Sequence, residues 1–358
     1  MQVELLTAWA MIAALAAYTL LGGADFGAGV WDLLASGPRR AAQRELLAAA
    51  IGPIWEANHV WLILLIVLLF TCFPPAFAAV MTALHVPVLL LLLGIVARGA
   101  SFVFRTYTSG TGAGQARWGL VFSIASVVTP LLLGVVLGAA SSGQLRWHGD
   151  AYLGGFFAPW LRPFPWAVGV FTLAIFAFLA ATYLCAEAED PALREDFRRR
   201  ALAAGAAVAL AGGLAWWAAD ADATVLGAHL NAAWWGWPLR IATGLAAAGA
   251  LAALWKRRFL AARTCACAQV MLVVLGYGAA LFPHLVPPDF TVFNSAAPPI
   301  THFLVLGALA GGAVVLGPSL YFLLRVFKGQ RAFALLDSAA TRTPQSRGTK
   351  PTHAQSSS

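Results

Sequence analysis

Long apolar stretches, separated by short polar segments, recur along the whole chain. Each approaches the about 20 residues that a helix needs to cross the hydrocarbon core of a membrane. Hydrophobic residues make up 60% of the 358 residues and charged residues only 11%, a composition that excludes an ordinary soluble domain. We therefore predict an all-α membrane protein of nine transmembrane helices, near residues 5–34, 50–70, 76–97, 118–140, 165–186, 201–219, 238–255, 264–282 and 301–325.

Basic residues are distributed unevenly among the segments that connect these helices. The first, third, fifth and seventh connections and the C-terminal tail hold 20 of the 23 Lys and Arg residues. Because Lys and Arg are enriched in cytoplasmic loops, this pattern predicts an outside N-terminus and a cytoplasmic C-terminus, which requires an odd number of spans. We therefore attribute the net charge of +8 to the basic residues of the cytoplasmic connections. It favours attraction to anionic inner-leaflet lipid and does not indicate binding to nucleic acid.

The C-terminal segment differs in composition from the rest of the chain. Residues 329–358 have few large apolar side chains and many Ser, Thr, Pro and Gln residues. Such a segment cannot bury enough apolar surface to fold. We predict a membrane domain over residues 1–328 and a disordered cytoplasmic tail over residues 329–358.

Asp25 and Glu56 are acidic residues that lie inside predicted spans. Asp25 and Glu56 lie on antiparallel neighbours, and the helical rise places them on the order of 13 Å and 9 Å from the cytoplasmic face. An ionisable group at the bilayer centre costs roughly 2.5–3.5 kcal/mol on insertion scales, so it usually faces protein, a partner or water and marks an ion or proton pathway. The alternative is structural, with the acids holding helices in register through Trp indoles, a helix N-terminus or Arg98.

Histidine placement bears on proton transfer and on haem. His59 is three residues beyond Glu56, so the two share a helix face and can interact, whereas Asn58 is about 160° round the helix and points elsewhere. His85 is predicted near mid-membrane and His59 near the inner face. Because no two histidines face each other at matched depth, we predict that this chain binds no haem by itself. Arg98 is predicted at the inner end of span three, where it fits a positive-inside anchor.

The segment around Glu56 resembles a known family element. Residues 52–62, G-P-I-W-E-A-N-H-V-W-L, are similar to the G/A-P-x-W-[DE]-x-N-x-V-W-L element of subunit II of the cytochrome bd quinol oxidases. Residues 22–29 are similar to that family's D-G-F-D-x-G-x-G, although only Asp25 of its two acids is kept. Glu56 stands where Asp is often found, and His59 where Gln or Glu is common. The resemblance covers the chain to about residue 328.

This resemblance implies a fold of two four-helix bundles plus one peripheral helix. It also implies a haem-free subunit II that supports a haem-bearing subunit I, with b- and d-type haems, in oxidising a membrane quinol and reducing O2 to water. The chain would then be part of an oxidoreductase in the bacterial inner membrane without being catalytic alone. A third, single-helix subunit and the choice between ubiquinol and menaquinol stay open.

The resemblance assigns roles to individual residues as well. It implies a proton pathway through Glu56 and Asp25, and His59 is a candidate for it specific to this chain. No residue is predicted to bind a metal. Two other functions stay open, a proton-coupled secondary transporter and a purely structural membrane subunit. Further polar or interfacial candidates are Trp55, Asn58, Trp61 and Arg98.

Overall fold

The computed structural model describes residues 3–51, 55–107, 113–149, 151–222 and 224–340. Two short antiparallel hairpins connect helices in this part of the chain. Two compact units are distinguished, Met1–Val305 and Leu306–Ser358. The strands are Trp147–His148, Ala151–Tyr152, His284–Val286 and Phe290–Thr291, and the helices α1 to α12 are Val3–Leu33, Arg40–Ile51, Trp55–Cys72, Pro74–Ala83, His85–Tyr107, Ala113–Ser141, Pro163–Glu187, Pro191–Asp222, Thr224–Ala232, Gly236–Trp255, Phe259–Leu281 and Pro299–Ala340.

Nine of the helices within the described ranges are long and apolar enough to cross a membrane. This confirms the predicted all-α class and number of spans. Helices α1, α3, α5 and α6 form one four-helix bundle, and α7, α8, α10 and α11 form a second. Helices α1 and α6 also pack on α7, which joins the bundles. The ninth span is α12, whose side chains over residues 306–319 are mostly exposed.

The third span begins later than predicted. A separate short helix, α4, ends when the N–H of Leu84 donates to the carbonyl of Val80 at 2.9 Å, and α5 begins at His85. Pro87 accounts for the break, because proline has no N–H to donate to the preceding turn but fits the first turn of a new helix. His85 therefore starts this helix instead of lying mid-membrane. Arg98 lies inside the span, not at its inner end, which corrects both placements.

The second span is described from Trp55 to Cys72, with helix α2 before it, and the motif residues 52–54 between them lie outside the described residues. One further boundary differs from the sequence expectation. The last helix extends to Ala340, so it includes residues 329–340, which the sequence composition places in the tail. The remainder of that predicted tail, residues 341–358, also lies outside the described residues.

The basic connections meet at one end of Met1–Val305, as alternating spans require. Arg39, between α1 and α2, pairs with Asp196 at 2.5 Å, and Arg257, after α10, pairs with Glu195 at 3.3 Å. These contacts bring the first, fifth and seventh connections together. We refer to this end as the basic end.

Close packing of α1 against α7 explains two glycines of the first span. A Cβ on Gly23 would meet the ring of Phe176, and a Cβ on Gly27 would overlap the Phe176 backbone carbonyl. One turn further on, Trp31 Nε1 donates to the carbonyl of Ala177 at 2.8 Å. Small residues that let helix backbones approach are typical of membrane interfaces, and here they fix the stretch of α1 that carries Asp25.

We predict that Gly27→Ala destabilises the protein by about 1–3 kcal/mol, the usual cost of overpacking. The added methyl group meets backbone, which cannot rotate away. The matched control is Gly213→Ala in α8, where a Cβ would have nothing within 4 Å. Thermal unfolding of the purified variants in detergent measures the difference. Equal melting temperatures for Gly27→Ala and the parent would contradict the packing described for α1.

Candidate functional site

The Asp25 carboxylate lies inside the first bundle and is 5% exposed. Its partner is the buried side chain of Asn58 on α3, whose Nδ2 donates to Asp25 Oδ2 at 2.8 Å. A hydrogen bond to an ionised group contributes about 1.5–3 kcal/mol. The first two spans are thus connected by a buried polar contact between Asp25 and the segment that carries Glu56.

A buried arginine lies beside this contact. Arg98 of α5 is 1% exposed, its Nε donates to Ser126 Oγ at 3.2 Å, and its guanidinium carbon lies 4.6 Å from the centre of the Phe26 ring. Among the described residues its Nη2 has no hydrogen-bond partner. Asp25 and Arg98 form no direct ion pair, but they attract each other electrostatically. Arg98 is therefore a buried cation of the site and not a surface anchor.

His59 completes the buried group, but not with the partner that its spacing predicted. Its Nε2 lies 3.3 Å from Arg98 Nη1, and its ring meets Phe26 and Trp55 edge-on. Because a guanidinium can only donate, Nε2 is the acceptor, and the neutral ring carries its hydrogen on Nδ1. That Nδ1 has no hydrogen-bond partner in the described part of the chain. The predicted contact with Glu56 is wrong.

Glu56 lies on the opposite side of α3 from Asn58, as the helical spacing predicted. Its side chain is exposed rather than buried, which corrects the expectation of an acid enclosed by this chain. It forms no hydrogen bond or ion pair with a described residue. An exposed apolar stripe continues from Glu56 along the helix at intervals of three and four residues, formed by Val60, Ile63, Val67 and Phe70.

The two tryptophans of the motif support this arrangement. Trp55 is half-buried and packs on Phe102 with ring centres 5.4 Å apart. Trp61, also half-buried, packs against the hydrophobic core of the bundles. Both contacts are structural within this chain.

A second buried acid was missed by the sequence analysis. Asp32, at the basic end of α1, is 2% exposed. It accepts a hydrogen bond from Ser123 Oγ at 2.8 Å and is paired with Arg105 at 3.3 Å and Arg44 at 3.5 Å. Its position seven residues after Asp25 is the signal that could have found it, because residues seven apart share one helix face.

The site therefore combines two carboxylates, an imidazole, hydroxyls and fixed cations in an otherwise apolar bundle. Carboxylates and imidazoles can take up and release protons, whereas arginine keeps its charge. Ionisable groups buried in a membrane bundle mark ion or proton pathways by default. The arrangement contains groups that can take up and release protons.

Comparison with known proteins decides the family. The sequence model of the cytochrome bd terminal oxidase subunit II family matches residues 3–327. The chain belongs to this family. The match covers both helical bundles and every residue of the site.

Individual relatives are similar over different lengths. The cytochrome bd-I ubiquinol oxidase subunit 2 of Escherichia coli is 30% identical over 172 residues, which are 47% of this chain and 44% of that protein. The chain thus spans less than half the length of this relative. The putative cytochrome bd menaquinol oxidase subunit II of Bacillus subtilis is 22% identical over 337 residues, covering 88% of this chain and 93% of that protein.

A solved structure shares the fold. A chain of the bd oxidase from Geobacillus thermodenitrificans superposes with a TM-score of 0.76 at 21% sequence identity. The superposition covers 91% of this chain and 99% of that chain. The helical architecture of this subunit II family member is therefore that of a bd oxidase chain.

We predict that Asn58→Leu destabilises the protein by about 1–3 kcal/mol, because it leaves the buried Asp25 carboxylate without its donor. The chain offers a matched control in Asn231, which donates to Asp220 at 3.2 Å on an exposed surface. Asn231→Leu should change the unfolding free energy by less than about 0.5 kcal/mol, because water replaces the lost donor. Denaturant titration in detergent measures both. Equal effects of the two substitutions would contradict a buried, functional contact at Asp25.

Proposed function

We propose that this chain is the haem-free subunit II of a cytochrome bd-type quinol oxidase in the bacterial cytoplasmic membrane. Assembled with a haem-bearing subunit I, it takes part in oxidising a membrane quinol and reducing O2 to water, a reaction that consumes protons. Membership of the family supports the oxidase role. The single observation that supports a role in proton delivery is the group formed by the buried Asp25, Asn58 and Arg98 with the half-buried His59.

The b- and d-type haems are assigned to subunit I. His59 is a poor haem ligand, because its Nε2 faces the Arg98 guanidinium, and a fixed cation there disfavours a cationic iron. The buried His302 at the other end of the bundle has its Nδ1 within 2.9 Å of Thr7 Oγ1. No group of three or more His, Cys, Asp or Glu residues in the described ranges could hold a metal ion.

The basic end is assigned to the cytoplasm, since Lys and Arg are enriched on that side. Protons would enter the first bundle there and reach Asp25. Glu56 lies two residues before Asn58, so its depth differs from that of Asp25 by only about 3 Å of helical rise. Asp25 lies inside the chain and Glu56 at its surface, which gives an inner and an outer position for the same proton.

The exposure of Glu56 supports a proposed location for the partner subunit. A carboxylate that faced lipid at this depth would be costly, yet Glu56 begins an exposed apolar stripe. We assign the face formed by Glu56, Val60, Ile63, Val67 and Phe70 to contact with subunit I. Protons held at Asp25 would then leave this chain through Glu56.

Two other functions predict different behaviour. A proton-coupled transporter would work without a haem-bearing partner, and a purely structural subunit would need Arg98 and Asp25 only as a packed pair. Neither explains why an acid faces outward at the depth of a buried acid. Conservative substitution of Glu56 in the assembled complex separates the three.

We predict that Glu56→Gln lowers the turnover of the purified two-subunit oxidase by an order of magnitude or more. The amide keeps the volume and hydrogen-bonding capacity of the side chain but cannot carry a proton, and positioned proton carriers contribute about 10²–10⁴-fold. Glu56→Asp should retain much of the activity. Oxygen consumption with excess quinol is the measurement, normalised to haem content, which should stay near normal in both variants.

The matched control for this substitution is Glu189→Gln, at an exposed acid between α7 and α8. It should leave the turnover unchanged. If Glu56→Gln assembled with a full haem complement and reduced O2 at the parental rate, Glu56 would not carry protons, and the structural function would be favoured.

A further inference from the structure

Three buried polar side chains lie on one face of α1 at intervals of seven residues. They are Tyr18, Asp25 and Asp32, and all are at most 5% exposed. Residues seven apart on a helix lie nearly one above the other, and the rise places Asp32 about 10 Å from Asp25 toward the basic end. The two acids are therefore consecutive positions along one buried face.

The partners of the two acids repeat with the same spacing. Arg98 and Arg105 lie seven residues apart on α5, the first beside Asp25 and the second paired with Asp32 at 3.3 Å. Because α1 is the first span and α5 the third, the two helices run in the same direction. Each acid of α1 thus has an arginine of α5 at its own level in the bundle.

Hydroxyl groups of α6 occupy the space between these levels. Ser123 donates to Asp32 at 2.8 Å, and Ser126 accepts from Arg98 at 3.2 Å. Ser126 also packs directly against Gly29, where a Cβ would overlap its hydroxyl. Gly29 is four residues after Asp25 and three before Asp32, so this hydroxyl lies between the two carboxylates.

We infer that Asp32 is a further proton-carrying residue of this subunit, the position at which protons from the cytoplasm join the route to Asp25. The inference rests on the proposed function. The Asp32 side chain is 3% exposed, whereas those of Arg44 and Arg105 are 34% and 24% exposed. The two arginine side chains therefore extend from the buried acid to solvent. The Asp32 carboxylate takes up a proton from the cytoplasmic solvent. It then releases that proton toward the Ser126 hydroxyl and Asp25 and is ionised again.

An ion pair that only holds α1 to α5 and α6 would have the same geometry, so the experiment must separate transfer from stability. We would purify the two-subunit oxidase with Asp32→Asn and with the double substitution Asp32→Asn/Arg105→Gln. The double variant removes both charges together, which avoids leaving one buried and uncompensated. The matched control is Asp196→Asn, which breaks the ion pair with Arg39, also at the basic end.

The readout is proton uptake during a single turnover, followed with a pH-indicator dye in light and heavy water and expressed per haem. We expect both Asp32 variants to take up protons at least about tenfold more slowly, with a larger solvent isotope effect. The quinol KM and haem spectrum should be unchanged, and Asp196→Asn should behave as the parent. A purely structural Asp32 would lower the melting temperature without slowing proton uptake in the assembled complex.

Parental uptake in the double variant would overturn the inference. If Asp25→Asn were slow in the same assay, the proposed function would stand without Asp32. If Asp25→Asn and Glu56→Gln also took up protons at the parental rate, the proposed function would fail with it. Should Asp32→Asn alone not assemble, the charge-neutral double variant decides, because slow uptake there supports the inference and parental uptake overturns it.

Discussion

The fully buried charge of Arg98 is the constraint on which the first bundle depends. Removing an ion from water costs several kcal/mol even after relaxation, and it is tolerated only when hydrogen bonds and an opposite charge compensate. Three neighbouring helices supply that compensation, with Asp25 and the Phe26 ring from α1, His59 from α3 and Ser126 from α6. The charge of one side chain on α5 thus sets which faces of its neighbours turn inward.

The same constraint explains why α1 is rich in glycine and acid together. The acid must approach Arg98 while the helix packs closely on both α6 and α7. Gly27 permits the approach to α7 and Gly29 the approach to α6. The result is a face on which polar groups are held in place by backbone packing, as transfer between fixed positions requires. Stability and the proposed proton transfer in this bundle therefore depend on the same residues.

Hydropathy alone was sufficient for the fold class, because apolar stretches of membrane length recur along the whole chain. It was insufficient for the third span, where Pro87 divides the stretch predicted as one span into two helices and Arg98 lies inside the bundle. The position of Asp25 and Glu56 inside apolar spans identified them as candidates, and helical spacing correctly separated Asn58 from Glu56. The buried contact of Asn58 with Asp25 required the structure.

The composition of α3 explains why its inward-facing side could not be predicted from the sequence. Its residues after His59 are apolar on every side of the helix, so the sequence does not indicate which side faces protein and which faces lipid or a partner. Sequence reasoning placed Glu56 inside, beside His59. The structure turns Asn58 and His59 inward and Glu56 outward, because the buried charges of Asp25 and Arg98 need the amide and imidazole. Asp32 escaped notice because it lies at the end of an apolar span, where an acid is common.

The central claim is that Asp25 exchanges a proton as the oxidase turns over. Infrared difference spectroscopy of the purified complex, between its oxidised and reduced states, measures this directly through the C=O stretch of protonated carboxyl groups. We predict a carboxyl band that shifts in heavy water and is absent from Asp25→Asn with a normal haem complement. Identical carboxyl difference spectra for Asp25→Asn and the parent would contradict the account.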